Sequence, residues 1–253
     1  MVFMPPRHGK SEMISRYFTA WYLLTHPDRR IILTSYEAEF ASSWGRKSRD
    51  LVEEQGPELY GLRVREDSSA ANRWDISGHA GGMVTAGVGG PITGKGAHCL
   101  IIDDPLKNWE EAQSPTIREK VWDWYLSTAY TRLEPGGAVI IILTRWHEDD
   151  LAGRLLKEME RGGEKWRVIS LPAIAGEGDE LDREPGEALW PARYPIEDLE
   201  RIKRTIGSFK FSALYQQSPM AEGGNVIRRE WVRYFAERPH PRRRWSTRRA
   251  RET

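Results

Sequence analysis

The chain has 253 residues, 39% of them hydrophobic and 30% charged, and a formal net charge of +1. This balance excludes a protein that coats nucleic acid by charge alone, although seven arginines and one acidic residue lie within residues 238–253. The single cysteine, Cys99, excludes an internal disulfide framework and fits a reducing compartment. No run approaches the ~20 apolar residues of a membrane span, and the first residues show no basic region followed by an apolar core, so no secretory signal is visible. We therefore predict a cytoplasmic protein without membrane contact.

Apolar runs and helical periodicities alternate along the first two thirds of the chain. The predicted strands are residues 2–4, 31–35, 99–102, 138–143 and 166–171, with shorter strands and mobile loops in the glycine-rich stretch 74–96. The predicted helices are residues 13–24, 37–54, 115–133, 149–160, 195–206 and 209–217. This alternation predicts an α/β domain whose mostly parallel sheet is flanked by helices. Such sheets bind ligands beyond the carboxyl ends of their strands.

The composition changes after residue 172. Residues 1–172 form the predicted α/β domain, and residues 173–235 form a predicted linker and the start of a further region. Residues 236–253 have no apolar periodicity and seven arginines, so we expect a disordered tail.

The first candidate site lies directly after the first predicted strand, in the segment MPPRHGKSE of residues 4–12. A full phosphate-binding loop would have a glycine where this chain has Met4, so the motif is degenerate. The apolar strand before it and the amphipathic helix after it favour a phosphate loop. The alternative is a surface turn that contains a lysine.

Each residue of this loop has a predicted role. Backbone amides from His8 and Gly9 through Ser11 form an anion-binding nest at the start of a helix. Lys10 would reach the β- and γ-phosphates of ATP, and Ser11 would hold Mg²⁺. Arg7 adds a cation beside the phosphates.

The second candidate site is the sequence LIIDD, in which a buried strand ends in Asp103 and Asp104. Two carboxylates at the end of a buried strand are unfavourable unless a cation lies beside them. We expect Asp103 to hold the Mg²⁺ hydration shell and Asp104 to orient and deprotonate the attacking water. The alternative is an aspartate that caps the following helix.

The third predicted strand ends at Thr144, whose hydroxyl could contact the γ-phosphate. Arg145 and His147 follow. Each could act in the site, or could equally be structural and pair with Glu148, Asp149 or Asp150. The glycine-rich segment 89–96 is either a simple connection or a loop that touches DNA or a neighbouring subunit. The six histidines and one cysteine have no zinc-ligand spacing.

Three segments, FMPPRHGKSE, CLIIDDPLKN and IILTRWHEDDLAGRLL, together resemble the large terminase subunit of tailed bacteriophages and prophages. The resemblance continues through EPGEALWPARYPIEDLERIKRTIGSFKFSALYQQSP to about residue 235. It implies a P-loop ATPase of the additional-strand type, which drives double-stranded DNA into a procapsid and precedes a nuclease domain resembling RNase H. The implied partners are the portal protein, the small terminase subunit and further copies of the chain in a ring.

The resemblance also assigns residues. Lys10 and Ser11 match the family's phosphate and Mg²⁺ ligands, and Asp103 matches its metal aspartate. Asp104 stands where most relatives of this ATPase class have a catalytic glutamate, and Thr144 matches the coupling position.

Arg7 falls in the loop where terminases carry an arginine facing the phosphates. The additional-strand class further requires that the strand ending at Leu143 lies between the phosphate-loop strand and the acidic strand.

Two departures from the family bear on activity. The chain begins at the phosphate-loop strand, so we expect the family's adenine-binding region to be absent. No aspartate follows Asp198, so we expect no DNA cleavage. Two other functions stay open: a helicase-like DNA translocase, and a folded but non-catalytic prophage remnant.

Overall fold

The computed structural model describes residues 1–92, 94 and 96–220 of the chain. Within them, eight strands form one sheet. In chain order they are β1 (Val2–Phe3), β2 (Arg30–Ser35), β3 (Val64–Ala70), β4 (Arg73–Ile76), β5 (Gly82–Gly87), β6 (Ala97–Asp103), β7 (Leu133–Leu143) and β8 (Ile169–Ser170).

The strands are arranged in the order β3-β4-β5-β2-β6-β7-β1-β8. In the part of the sheet with the order β5-β2-β6-β7-β1-β8, every pair of neighbouring strands is parallel. The β3–β4 and β4–β5 pairs, at one edge, are antiparallel. The prediction of a mostly parallel sheet is therefore confirmed. Strand β7 lies between β6 and β1, so the sheet has the order of an additional-strand P-loop ATPase.

Helices connect the strands and cover the sheet. The α-helices are α1 (Thr19–Thr25), α2 (Ala38–Tyr60), α3 (Trp109–Gln113), α4 (Pro115–Trp124), α5 (Leu151–Glu160), α6 (Ile196–Ile206) and α7 (Ser208–Leu214). A π-helical segment, Glu12–Phe18, leads into α1, and a second one, Tyr125–Ala129, follows α4. The long helix predicted for residues 115–133 is therefore α-helical only to Trp124. The strand predicted for residues 166–171 is shorter and spans Ile169–Ser170.

Two apolar cores cover the two faces of the sheet. Along β6, Leu100 and Ile102 belong to one core, and Cys99 and Ile101 belong to the other. This alternation follows from the two-residue side-chain period of a strand. Because both faces are buried, the strand is apolar at every position from Cys99 to Ile102, as the sequence predicted.

Helix α2 packs closely on the sheet at Gly45. A Cβ added there would lie 2.3 Å from the carbonyl oxygen of Ala71 and 2.8 Å from Cγ2 of Thr85. The indole of Trp74 donates a 3.0 Å hydrogen bond to the carbonyl oxygen of Gly45. The absence of a side chain at this position therefore sets how closely the helix approaches the strands.

A third, smaller core lies in residues 173–217, and its buried members are Ala173, Ala188, Leu199 and Phe211. Residues 1–220 form one compact unit. The domain boundary expected at residue 172 stays a prediction. The predicted tail and the end of the linker lie outside the described residues. In the described part of the chain, no helix has the length and apolar character that crossing a bilayer requires.

Candidate phosphate and metal site

The loop between β1 and the first helical segment turns through two left-handed residues. Arg7 has φ of 63° and Gly9 has φ of 90°. Glycine adopts this conformation without strain, whereas a residue with a side chain does not. The carbonyl oxygen of Gly9 accepts a 2.9 Å hydrogen bond from the amide of Met13, which joins the loop to its helix.

Lys10 points across the sheet edge to the second acidic residue of β6. Its Nζ lies 2.6 Å from Oδ2 of Asp104, and only 8% of Lys10 is exposed. Burial lowers the pKa of the Lys10 ammonium, but the attraction of Asp104 and Asp103 outweighs burial, and the net pKa is raised. Lys10 is therefore charged and already neutralised by a carboxylate.

Asp103 is fully buried at the end of β6 and accepts two hydroxyl hydrogen bonds. Ser11 Oγ donates to Oδ1 at 3.0 Å, and Ser15 Oγ donates to Oδ2 at 2.7 Å. Burial and the charge of Asp104 raise the pKa of Asp103 to about 7. A hard cation beside this carboxylate would favour its charged form, and hydroxyl and carboxylate oxygens are the ligands that such cations prefer.

Ser15 was not predicted as a site residue. It lies four residues after Ser11, so both hydroxyls face the same side of the helical segment and reach the same carboxylate. The sequence signal was this spacing of two serines behind the glycine-lysine pair.

Thr144 connects the phosphate loop to the acidic strand. Its amide donates a 3.0 Å hydrogen bond to Oδ1 of Asp104, and its hydroxyl donates a 3.2 Å bond to the carbonyl oxygen of Met4. The geometry follows from the topology, because β7 lies between β6 and β1. Asp104 itself has φ of 45°, a left-handed backbone that turns its carboxylate toward Lys10.

Arg145 and His147, for which the sequence left both a functional and a structural role open, make structural contacts. Arg145 forms a buried ion pair with Asp150, with Nε and Oδ2 2.9 Å apart. Its backbone amide donates a 3.2 Å hydrogen bond to the side chain of Gln217, which is also left-handed, with φ of 55°. His147 Nδ1 accepts a 2.9 Å bond from the amide of Asp149. These contacts hold the strand end and the C-terminal segment together.

His8 packs away from solvent against residues that follow α5. Its ring stacks on Tyr194 at a centroid distance of 4.6 Å and an interplanar angle of 18°. Because Nδ1 lies 2.9 Å from the carbonyl oxygen of Pro6, Nδ1 carries the proton. Nε2 is buried and has no hydrogen-bond partner in the described part of the chain. Burial lowers the pKa of His8, so the neutral ring is favoured.

The structure brings together five of the eight predicted site residues at the end of β6, while Arg7, His8 and Gly9 lie in the loop before Lys10. Ser11 donates a hydrogen bond to Asp103, and Asp104 forms an ion pair with Lys10 and accepts a hydrogen bond from the amide of Thr144. Arg7 is exposed, and among the described residues it has no ion-pair partner. In the same residues no group of three His, Cys, Asp and Glu side chains is arranged for metal binding.

Comparison with known proteins agrees with this fold. The ATPase domain of the large terminase of Thermus phage P74-26 has a TM-score of 0.54 at 15% identity, with 87% of this chain and 88% of that chain covered. An arginine-to-alanine mutant of that domain gives 0.53 at 16% identity and the same coverage. Among curated proteins, no sequence matches this chain. A family model described as "Terminase large subunit, T4likevirus-type, N-terminal" matches residues 1–234. The chain therefore belongs to the family of terminase large subunits of the T4likevirus type, to the N-terminal part that this model describes.

Proposed function

We propose that this chain is the ATPase motor domain of a phage terminase large subunit, which couples Mg²⁺-dependent ATP hydrolysis to translocation of double-stranded DNA into a procapsid. The observation that carries the proposal is the contact of Lys10 with Asp104 beside the contact of Ser11 with Asp103. A lysine, a hydroxyl and two carboxylates lie together at one edge of the sheet, which supports phosphate and metal binding there.

Phosphate binding is assigned to the loop. The amides of His8, Gly9, Lys10 and Ser11 would face the phosphate oxygens at the start of the helical segment. Lys10 would exchange its carboxylate partner for the β- and γ-phosphates, because a triphosphate carries more negative charge than Asp104. Arg7, an exposed cation without a partner among the described residues, would add positive charge at the outer side of the loop.

Metal binding is assigned to Ser11 and Asp103. The Ser11 hydroxyl would be a direct ligand, and Asp103 would hold a coordinated water. When bound, Mg²⁺ supplies charge neutralisation of the phosphates. The hydrogen bonds from Ser11 and Ser15 hold both oxygens of Asp103 in place for this role.

Hydrolysis is assigned to Asp104. Once Lys10 turns to the phosphates, the Asp104 carboxylate is free to accept a proton from the attacking water. The water oxygen bonds to the γ-phosphorus, the bond to the bridging oxygen breaks, and ADP leaves. Thr144 positions Asp104 through its amide and couples this event to the phosphate loop through its hydroxyl.

The partners follow from the family. They are double-stranded DNA, the portal protein, the small terminase subunit and further copies of the chain in a ring. The place of action is the cytoplasm of the bacterial host, and the procapsid portal during packaging.

The absence of DNA cleavage stays a prediction. The acidic residues beyond Glu200 are Glu222, Glu230, Glu237 and Glu252, and all four lie outside the described residues. Single glutamates far apart in sequence do not supply the carboxylate cluster that holds two metal ions ~3.5–4 Å apart. Metal-dependent nicking of supercoiled plasmid by highly purified protein would show that this prediction is wrong.

The test of the motor assignment is phosphate release from ATP with and without double-stranded DNA, in Mg²⁺ and in excess chelator. We expect Mg²⁺-dependent turnover that DNA stimulates. No turnover under any of these conditions would favour the non-catalytic remnant. ATP-driven strand separation of a partial duplex would favour the helicase-like translocase.

A further inference from the structure

The outer side of the phosphate loop is covered by residues 190–194, a segment before α6 to which neither the sequence motifs nor the proposed mechanism assigns a role. Tyr194 stacks on His8, and the Trp190 ring lies 4.0 Å from where a Cβ on Gly9 would be. The two aromatic side chains therefore contact successive residues of the loop. A change in the loop on phosphate binding would reach this segment directly.

Arg193 lies on this aromatic pair. Its guanidinium carbon is 5.1 Å from the ring centre of Trp190 and 5.8 Å from that of Tyr194. Burial is the main reason that the pKa of His8 is lowered, and the positive charge of Arg193 lowers it further, which places that charge near the loop.

Two other arginines in the same region are paired with carboxylates, and Arg193 differs from them. Arg183 pairs with Asp179 at 2.6 Å, and Arg201 pairs with Asp198 at 2.9 Å. Arg193 is exposed and has no carboxylate partner in the described part of the chain. Its contacts with the rings restrict the side chain without neutralising its charge.

The guanidinium of Arg193, restricted by the two rings but not neutralised, favours the binding of an anion. Lys10 is already paired with Asp104, so the triphosphate meets a loop whose own lysine is neutralised. A guanidinium presents several donors in a fixed plane and binds phosphate oxygens in a bidentate manner. Stacking on Trp190 and Tyr194 reduces the side-chain entropy lost on binding.

We propose that Arg193 is a phosphate-binding residue of the same chain, which contacts the terminal phosphate of ATP when the nucleotide occupies the loop. This inference rests on the proposed ATPase function. It makes segment 190–194 the part of the chain that distinguishes ATP from ADP, because the γ-phosphate is the group that hydrolysis removes.

The experiment compares the parent chain with Arg193→Ala, Arg193→Lys, Arg201→Ala and Lys10→Ala. Arg201→Ala is the matched control, since it removes an arginine of the same region that is paired with a carboxylate. Binding of a non-hydrolysable ATP analogue, of ADP and of DNA is measured, together with kcat and KM for ATP and thermal stability.

For Arg193→Ala we expect a roughly 10- to 100-fold loss of analogue affinity, the range for a hydrogen bond to a charged group. ADP affinity should change less than about threefold, because ADP lacks the group contacted, and thermal stability and DNA affinity should equal those of the parent. Arg193→Lys should recover part of the loss, and Arg201→Ala should behave as the parent.

Two results would overturn the inference alone. One is analogue binding and turnover by Arg193→Ala within twofold of the parent while Lys10→Ala is inactive. The other is a loss of DNA affinity in Arg193→Ala with nucleotide binding unchanged, which would make Arg193 a DNA contact. If the parent itself binds no ATP, or if Lys10→Ala equals the parent, the proposed function is wrong and the inference is overturned with it.

Discussion

Nζ of Lys10 and Oδ2 of Asp104 form a 2.6 Å ion pair at the end of β6. The pair is shielded from water, because Lys10 is 8% exposed. Any phosphate that enters must compete with Asp104 for the lysine. Under the proposed mechanism, the same contact would hold the Asp104 carboxylate until a nucleotide binds, so that one ion pair would link nucleotide binding to hydrolysis.

Replacing Lys10 by alanine should abolish ATP hydrolysis and most nucleotide binding, because it removes the cation assigned to the β- and γ-phosphates. Lys203→Ala is a suitable control, since Lys203 lies on α6 and pairs with Glu200 at 3.7 Å. Phosphate release and equilibrium binding of ATP are the measurements. Undiminished turnover of Lys10→Ala would exclude this loop as the nucleotide site.

Asp104→Asn should separate binding from hydrolysis. The asparagine oxygen can still accept the amide hydrogen bond of Thr144, but the side chain no longer holds Lys10 by charge and cannot accept a proton. We expect ATP to bind at least as tightly as to the parent, while kcat falls by about 10²–10⁴-fold, the range for loss of a general base. Single-turnover hydrolysis and ATP binding measure the two effects. A kcat within twofold of the parent would remove Asp104 from the catalytic role.

Asp150→Ala should strongly destabilise the fold. It leaves the buried guanidinium of Arg145 without its 2.9 Å partner, a change that typically costs about 3–5 kcal/mol. Asp198→Ala breaks the exposed pair with Arg201 and should cost about 0–1 kcal/mol. Urea unfolding of both variants gives the comparison, and equal losses would contradict the structural role given to Arg145.

Gly45→Ala should also destabilise the fold, because the new methyl group would overlap the carbonyl oxygen of Ala71. Overpacking of this kind costs about 1–3 kcal/mol, and a backbone atom as the obstacle favours the upper end. Gly176→Ala is the matched control: its Cβ would have no neighbour within 4 Å. Thermal unfolding of the two variants measures the difference, and a Gly45→Ala protein as stable as the control would show that α2 can shift freely.

The sequence predicted those parts of the site that depend on strand ends. Asp103, Asp104 and Thr144 end or follow apolar runs, Lys10 lies in the loop after the first run, and the carboxyl ends of parallel strands meet at one edge. The order of the strands came from the family resemblance, and the pairing of β7 with β6 and β1 confirms it.

Other features depend on contacts between segments far apart in the chain. Tyr194 stacks on His8, and nothing in the sequence around either residue predicts that the two side chains meet. The antiparallel strand β3 was not predicted, because its only large apolar residue is Val64 and the residues that follow are mostly polar or charged. Helix α4 ends at Trp124 because the backbone changes there from α-helical to π-helical hydrogen bonding, which the periodicity of the side chains does not reveal.

The left-handed residues of the site have a consequence for thermostability. Arg7, Asp104 and Gln217 all have positive φ, and such a backbone costs a non-glycine residue roughly 1–2 kcal/mol. Arg7→Gly removes a side chain that has no ion-pair partner among the described residues, so it should raise the melting temperature while it weakens the proposed ATP hydrolysis. Glycine at Asp104 or Gln217 would instead remove the carboxylate paired with buried Lys10 or the oxygen that accepts from the Arg145 amide. A laboratory selection for heat resistance alone would therefore favour glycine at position 7 and lose the cation proposed to lie beside the phosphates.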